Sequence, residues 1–512
     1  VSGLAVSGPP ASTDVIVVGG GTAGAAVAHR LVRAGRDVLV LEAGPDPGPQ
    51  GDPRWPADLL DASRLGSSCD WGFDSADTYP DQRIPFERSR ILGGCSTHNG
   101  AVQTWGHRSD YADWARVGGA GWETEALAPV FDQASRQLAV RTYAVDELTP
   151  FQQAFYDAAP GVGLPHLTDL NDLDETVGIA PESVNIVNGV RFNNAFAYLD
   201  PVRGDPHLSI AGDVLVDRLL LERGRAVGVR ALYAGQVVDI RAELVILCGG
   251  TFGTPPVLLR SGIGPAAELA ALGIEVFADA PGVGANLHDQ PFVLMSWEGS
   301  AAIAREMEAH ASGGWAPDEQ VLAKVASTFD PGCFDLHILP YSPTHLRPDG
   351  SRSWHAGAGC LQPLSRGRVW LTSANPDVAP RIDHAFYTDP AGHDLDVLVQ
   401  GVARIRELAA QPGLRDLLGA ETSPGPVGLR TPEEIHGYLR AHIDSYWHPV
   451  GTCAMGPADD PLAVCDGRGE VHAVPGCLVA DCALMPSVPR ATTAMPATVI
   501  GERVAAFVTG DA

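Results

Sequence analysis

The feature that most constrains the fold stands near the start of the chain. Asp14-Val15-Ile16-Val17-Val18 is a short apolar, β-branched run that predicts a buried strand. It passes through Gly19-Gly20-Gly21-Thr22-Ala23-Gly24 into an alanine-rich stretch that predicts a helix to about Ala34. A second strand is expected over Asp37–Leu41, ending at Glu42. Strand, glycine turn, helix, strand and acid in that order form a βαβ dinucleotide unit. Gly19, Gly21 and Gly24 supply the tight turn, the close backbone approach and the helix–sheet contact that a pyrophosphate needs, with the helix N-terminus facing the negative charge. Glu42 stands eighteen residues past Gly24, where an acid accepts the hydroxyls of an adenosine ribose. Taken alone, the unit suits NAD and FAD equally.

At 512 residues the chain exceeds one ordinary core, which predicts two domains. With 45% apolar and 19% charged residues the composition is globular. No run of eighteen apolar residues occurs, so no membrane span is expected. Val1–Thr13 reads as a loose tail without the basic start and apolar core of an export signal, which favours a cytoplasmic protein. Nine scattered cysteines with no Cys-x-x-Cys pair argue against a disulfide framework or a zinc site, and no metal is expected. A formal charge of −27 argues against nucleic acid as a partner, since phosphate binding needs a basic stripe. The same charge attracts small cations, although solubility alone also accounts for it.

Further along, a turn-rich stretch covers Pro45 to Tyr79. Strands are expected near Val214–Leu221, Gln236–Ile240 and Leu244–Leu247. After Pro291 the texture changes to alternating strands, such as Phe334–Leu339 and Arg368–Thr372, and to amphipathic helices near Asp394–Ala410 and Thr431–His442. A strand over Cys477–Ala480 and a helix over about Ala497–Val508 close the chain. This predicts a discontinuous nucleotide domain from residues 12–150, 192–291 and 446–512, with a second domain from 151–191 and 292–445.

Four segments carry a family resemblance. Arg90-Ile91-Leu92-Gly93-Gly94-Cys95-Ser96-Thr97-His98-Asn99-Gly100 resembles the first signature of the glucose–methanol–choline oxidoreductases. Gly249-Gly250-Thr251-Phe252-Gly253-Thr254-Pro255-Pro256, with Ser261-Gly262-Ile263-Gly264-Pro265, resembles the second. Tyr446-Trp447-His448-Pro449-Val450-Gly451-Thr452 is similar to the catalytic histidine segment, and Asp481 matches the acid at the flavin end of FAD. The resemblance runs through nearly the whole chain and is nearest to the choline-oxidase branch. It implies an α/β (α+β overall) fold: a Rossmann-type FAD domain with an inserted substrate domain built on a large antiparallel sheet. FAD is the implied cofactor, held by Gly19, Gly21, Gly24, Glu42, Gly94, His98, Asn99 and Asp481. The implied partners are a small alcohol or polyol and O2 or another electron acceptor, with homodimerisation left open.

Removing a hydride from an alcohol carbon requires the hydroxyl proton to leave as the carbonyl forms, and a neutral imidazole accepts it. By its flanks His448 takes that role. The Ser-Thr-His-Asn pattern implies covalent flavin attachment through His98, which raises the flavin's potential. Where the family places an Asn or His partner to the catalytic histidine, seven residues past Met485, this chain has Thr492. A threonine hydroxyl hydrogen-bonds but does not accept a proton near pH 7. Arg490, nearby, either holds an anion or points elsewhere. Tyr446, Trp447 and His337 are the expected substrate contacts. The acidic and tryptophan run that holds choline's ammonium group in the choline-oxidase branch has no convincing counterpart between Trp297 and Phe329, which argues against choline itself. Two rival readings remain: a lyase of the same fold, and a flavin-binding protein without redox activity.

Overall fold

The computed structural model describes residues 8–75, 78, 82, 84–174, 177–312, 315–342, 353–425 and 429–511. The first seven residues of the expected tail, and Tyr79 at the end of the turn-rich stretch, lie outside them. In chain order the elements that position the site are β1 (Ser12–Val18), α1 (Thr22–Arg33), β2 (Val38–Leu41), β3 (Gly178–Pro181), β4 (Leu208–Ala211), β5 (Val214–Glu222), β6 (Arg225–Tyr233) and β7 (Gln236–Leu247). They continue with α2 (Gly250–Arg260), β8 (Pro291–Gly299), β9 (Val321–Val325), β10 (Leu336–Tyr341), β11 (Ser353–Cys360), α3 (His393–Ala409), β12 (Leu418–Ser423), α4 (Pro432–Ala441), β13 (Asp444–Ser445), β14 (Cys477–Val479) and α5 (Ala494–Thr509).

Two seven-stranded sheets result. The first has the order β4-β2-β1-β7-β6-β5, with β14 beside β7. Its centre is parallel, and Val15, Ile16, Val17 and Val18 are all buried, as expected of a strand covered on both faces. The second has the order β12-β8-β11-β10-β9-β3, with β13 on β8, and is antiparallel throughout. The α/β class with a Rossmann-type unit and a large antiparallel sheet is therefore present.

The sequence and the structure part at four elements. The two strands expected over Gln236–Ile240 and Leu244–Leu247 are one twelve-residue strand, β7. Its first half pairs antiparallel with β6 and its second half parallel with β1 and β14, so one strand carries two burial patterns. The strand expected from Phe334 begins two residues later, because Asp335 first closes a turn by accepting the Ser327 N–H at 2.7 Å. The last helix begins at Ala494, before Pro496, since a proline in the first turn removes no intrahelical bond. The fourth is α2, where Pro255 and Pro256 mask a helix. Pro255 has no N–H for Thr251 O, and the Thr452 hydroxyl donates to that carbonyl instead, at 2.7 Å. Thr251 Oγ1 in turn donates to Pro449 O at 2.6 Å. Those two bonds fasten α2 to the segment that carries His448.

Candidate active site

The two sheets enclose a cavity of about 860 Å³. Of the residues singled out in the sequence, Gly19, Gly21, Glu42, Gly94, His98, Asn99, Tyr446, Trp447, His448, Asp481 and Thr492 line it. Gly24 and His337 do not. For Gly24 this agrees with a helix–sheet role, since a Cβ there would lie 2.0 Å from Gly19 O. His337 stands on β10, two residues before Leu339 and four before Tyr341, both of which do line the cavity. Its ring lies 5.8 Å from the Phe334 ring and edge-on to Tyr446 at 6.1 Å. Strand alternation turns it to the cavity side, beside the Tyr446 ring that lines the cavity.

At the nucleotide end, Gly19 has φ +97°, and a Cβ there would strike Cys248 O at 2.5 Å. A Cβ on Gly21 would meet only Gly94 Cα, at 3.6 Å, so the constraint on Gly21 comes from the cavity rather than from packing. Gly94, with φ +52°, faces it. α1 begins there with no side-chain cap and no acid in its first turn, which leaves its N-terminal N–H groups open to an anion. Glu42 is buried, and its two carboxylate oxygens accept the N–H groups of Gly20 at 3.0 Å and Gly44 at 2.8 Å. Burial nevertheless pushes this carboxyl up, while those bonds hold it down. One acid thus ties the glycine turn to the end of β2 while facing the cavity.

The first signature loop crosses the middle of the cavity. Arg191, fully buried, gathers it by donating to five backbone carbonyls, including those of Thr97 at 3.0 Å and Asn99 at 2.7 Å. Nothing in the sequence marked this arginine. Cys95 lies beside His98, with Arg88 Nη1 3.8 Å from its sulfur. Burial pushes the Cys95 thiol up, but the Arg88 guanidinium and His98 outweigh it and bring it down to about 6. Asp481 stands at the mouth of α2. One of its oxygens accepts from Gly250 N at 2.8 Å and Thr254 Oγ1 at 2.6 Å, the other from Ala483 N at 2.7 Å. Its carboxylate therefore fixes the second signature in place against the cavity wall.

The segment that carries His448 is held by residues that the sequence did not reveal. His448 N donates to Asp289 Oδ1 at 2.8 Å, and His448 Nδ1 lies 2.7 Å from Gln290 Oε1. Gln290 Nε2 donates to Leu361 O at 3.2 Å and Pro489 O at 3.0 Å, which uses both of its protons. Gln290 Oε1 is thus an acceptor only, His448 carries its proton on Nδ1, and Nε2 is the basic nitrogen. Burial, and then Arg88, push the His448 imidazole down to about 3, so the ring is neutral. Trp447 Nε1 donates to Glu87 at 3.2 Å. The Thr492 hydroxyl donates to Val102 O at 3.0 Å and lies 2.9 Å from Thr104 Oγ1, so its proton is used within the protein. Arg490 is bound to Asp110 and Asp330, each at 2.6 Å.

These features fit FAD: an uncapped helix start beside two facing glycines suits a pyrophosphate, and a buried acid on the same cavity wall suits a ribose. Known proteins agree with this reading. The chain matches the GMC oxidoreductase models over residues 13–292 and 363–501. It is 31% identical to the choline oxidase of Arthrobacter globiformis across 96% of this chain and 93% of that one. With the oxygen-dependent choline dehydrogenase of Brucella melitensis biotype 1 it shares 32% identity, across 97% and 95%. Among solved structures it resembles the pyridoxine 4-oxidase of Mesorbium loti, with a TM-score of 0.85 and 25% identity over 96% of this chain and 98% of that one. Both ends of the chain and nearly all between them lead to one conclusion: this protein belongs to the GMC oxidoreductase family.

Proposed function

We propose that the protein oxidises the CH–OH group of a small alcohol to the carbonyl, using FAD. Bound FAD supplies the acceptor for the hydride. The protein's part is to take the hydroxyl proton and to hold the carbon. The observation that carries this reading is the fixed tautomer of His448, whose Nε2 lone pair belongs to a residue on the cavity wall. As the C–H bond leaves with its electron pair, the O–H proton passes to Nε2 and the C–O bond becomes C=O. Asp289 holds the backbone of His448, Gln290 keeps the imidazole from turning, and Thr492 lends its side chain to the cavity wall while its hydroxyl is bound to Thr104 and Val102. The nine cysteines are all free, which suits the cytoplasm we assign to it. Among the described residues no helix is long and apolar enough to cross a membrane.

The test is an anaerobic alcohol screen on FAD-loaded protein that includes choline and pyridoxine, the substrates in the relatives' names. Bleaching of the flavin by an alcohol is the expected result. Neither a lyase nor a redox-inert flavoprotein bleaches, so a screen without bleaching would overturn the reading. Release of hydrogen peroxide on readmitting air would mark O2 as the acceptor; its absence would mark another.

We further assign the flavin a covalent bond to His98, supported by the place of this ring on the cavity wall four residues beyond Gly94. Acid precipitation is expected to leave the yellow colour in the pellet, with the flavin mass on the peptide that contains His98. Colour entirely in the supernatant would show that no bond forms.

A further inference from the structure

Past Tyr446 the cavity continues to an end that proton and hydride removal do not use, and two carboxylates meet there. Glu182 directly follows β3, with its N–H donating to Gln320 O at 2.8 Å, and Glu319 stands one residue before Gln320 at the head of β9. Both line the cavity, together with Phe292, Leu294, Tyr341 and His355. Glu182 is 1% exposed, yet neither of its carboxylate oxygens has a hydrogen-bond partner among the described residues. Glu319 has the Tyr341 phenol, and a Cβ on Gly100 would lie 2.1 Å from its Oε1, which places this acid against the loop of His98. Among the described residues no lysine or arginine contributes to the charge balance of either acid; the groups that do are the two acids themselves, Asp318 and Tyr341. Burial, with Asp318, raises Glu319 to about 8, and burial, with Glu319, raises Glu182.

A buried carboxylate without donors is unfavourable unless something supplies them. A neutral polyol would bring donors and leave the two acids protonated, as burial holds them without a cation. A quaternary ammonium would bring charge without a donor. A protonated amine brings both. The acids also lie near the proposed chemistry. After burial itself, Glu319 and Glu182 are the groups that push the Tyr446 phenol up, and the Tyr446 ring is 4.4 Å from that of His448. The net charge of −27 draws cations toward the molecule as a whole.

We propose that Glu182 and Glu319 form a headgroup subsite, and that the substrate is an alcohol bearing a protonated primary or secondary amine, its ammonium at the two carboxylates and its hydroxyl at His448. The hydroxyl end rests on the alcohol-oxidation reading; the ammonium end is tested without it. The probe is n-butylammonium, which has no hydroxyl to oxidise, titrated into the FAD-loaded enzyme and read by flavin absorbance and by thermal shift. It is expected to bind at least about 100-fold more tightly than 1-butanol, the scale of a desolvated charge pair. Glu182→Gln and Glu319→Gln, which keep the side-chain shape, are each expected to weaken it about tenfold or more, and tetramethylammonium to bind more weakly than butylammonium. Butylammonium no tighter than butanol, binding unchanged in both variants, or tetramethylammonium binding as tightly would each overturn the proposal. In an anaerobic series of ω-amino alcohols against 1-alkanols of equal length, the amino alcohols are expected to bleach the flavin at lower concentration. Ammonium binding without bleaching by any alcohol keeps the subsite and removes the oxidation. Equal bleaching by both series keeps the oxidation and removes the subsite.

Discussion

His448→Ala is expected to slow anaerobic flavin reduction by about 10²–10⁴-fold, the range for losing a positioned acid–base group, while FAD content stays near that of the parent protein. Stopped-flow absorbance with the best alcohol of the screen measures the first quantity, and the spectrum of the purified variant measures the second. The separation follows from the architecture. Glu42, Gly21 and Gly94, which we assign to the nucleotide, stand directly after β2, directly before α1 and in the first signature loop, whereas His448 is carried on the segment between β13 and β14. The loss should fall on the rate of hydride transfer more than on alcohol binding, because the proton is taken only as the carbonyl forms. A reduction rate unchanged in the variant would remove His448 from the chemistry. The basic nitrogen would then have to be sought elsewhere, and the candidates are few. His288 is committed at both ring nitrogens, to Asn286 O at 2.7 Å and Val488 N at 2.9 Å. His355 Nδ1 is bound to Ser296 Oγ at 2.7 Å, in the acidic end of the cavity. His384 and His337 are buried outside the cavity wall.

What the sequence revealed and what it hid follow one physical line. β1, α1 and β2 are legible because their signal is local: an apolar run, a glycine turn and a helix period in immediate succession. The motifs of the active site are legible for the same reason, as each is a short contiguous string. Residues whose role depends on a distant partner were silent. Gln290 orients His448 only because Leu361 O and Pro489 O take both of its amide protons, and no spacing announces that. Glu182 and Glu319 meet because β3 is the outer neighbour of β9, a pairing between strands far apart in the chain. Thr452 was read as part of a motif, whereas its hydroxyl replaces the bond that Pro255 removes from α2. His337 was half legible: its strand was recognised and its face is that of Leu339 and Tyr341, but the rings of Phe334 and Tyr446 pack against it and it is not among the lining residues.

Arg191→Ala is expected to loosen the first signature loop more than any substitution at the loop itself, lowering the local opening free energy by about 3–5 kcal/mol, the range for breaking a buried charged network. The guanidinium is fully buried and spends all five N–H groups on backbone carbonyls. Nε donates to Asn99 O at 2.7 Å, Nη1 to Leu59 O at 2.8 Å and Thr97 O at 3.0 Å, and Nη2 to Asp61 O at 3.3 Å and Arg64 O at 2.6 Å. Burial pulls its pKa down to about 10, against the pull of Asp61 and Asp58, so the charge persists at neutral pH. Alanine would leave five carbonyls and a guanidinium-sized void between residues 59–64 and 97–99. Individual bonds from a charged donor are worth about 1.5–3 kcal/mol, but five on one side chain are not additive, and the total falls well short of their sum. The measurement is hydrogen exchange at Gly66 and Ala101, whose amides donate to His98 O at 3.1 Å and Asn99 Oδ1 at 3.1 Å. Exchange there should rise about 10²–10³-fold or more, while amides of β1 and β7 stay protected. Lysine at the same position keeps the charge but offers three donors from a point, so Arg191→Lys should recover only part of the protection. Unchanged exchange at both amides would mean that packing alone holds the loop. If they do open, His98 loses its fixed position, and the fraction of flavin retained in the acid pellet should fall with the protection factor.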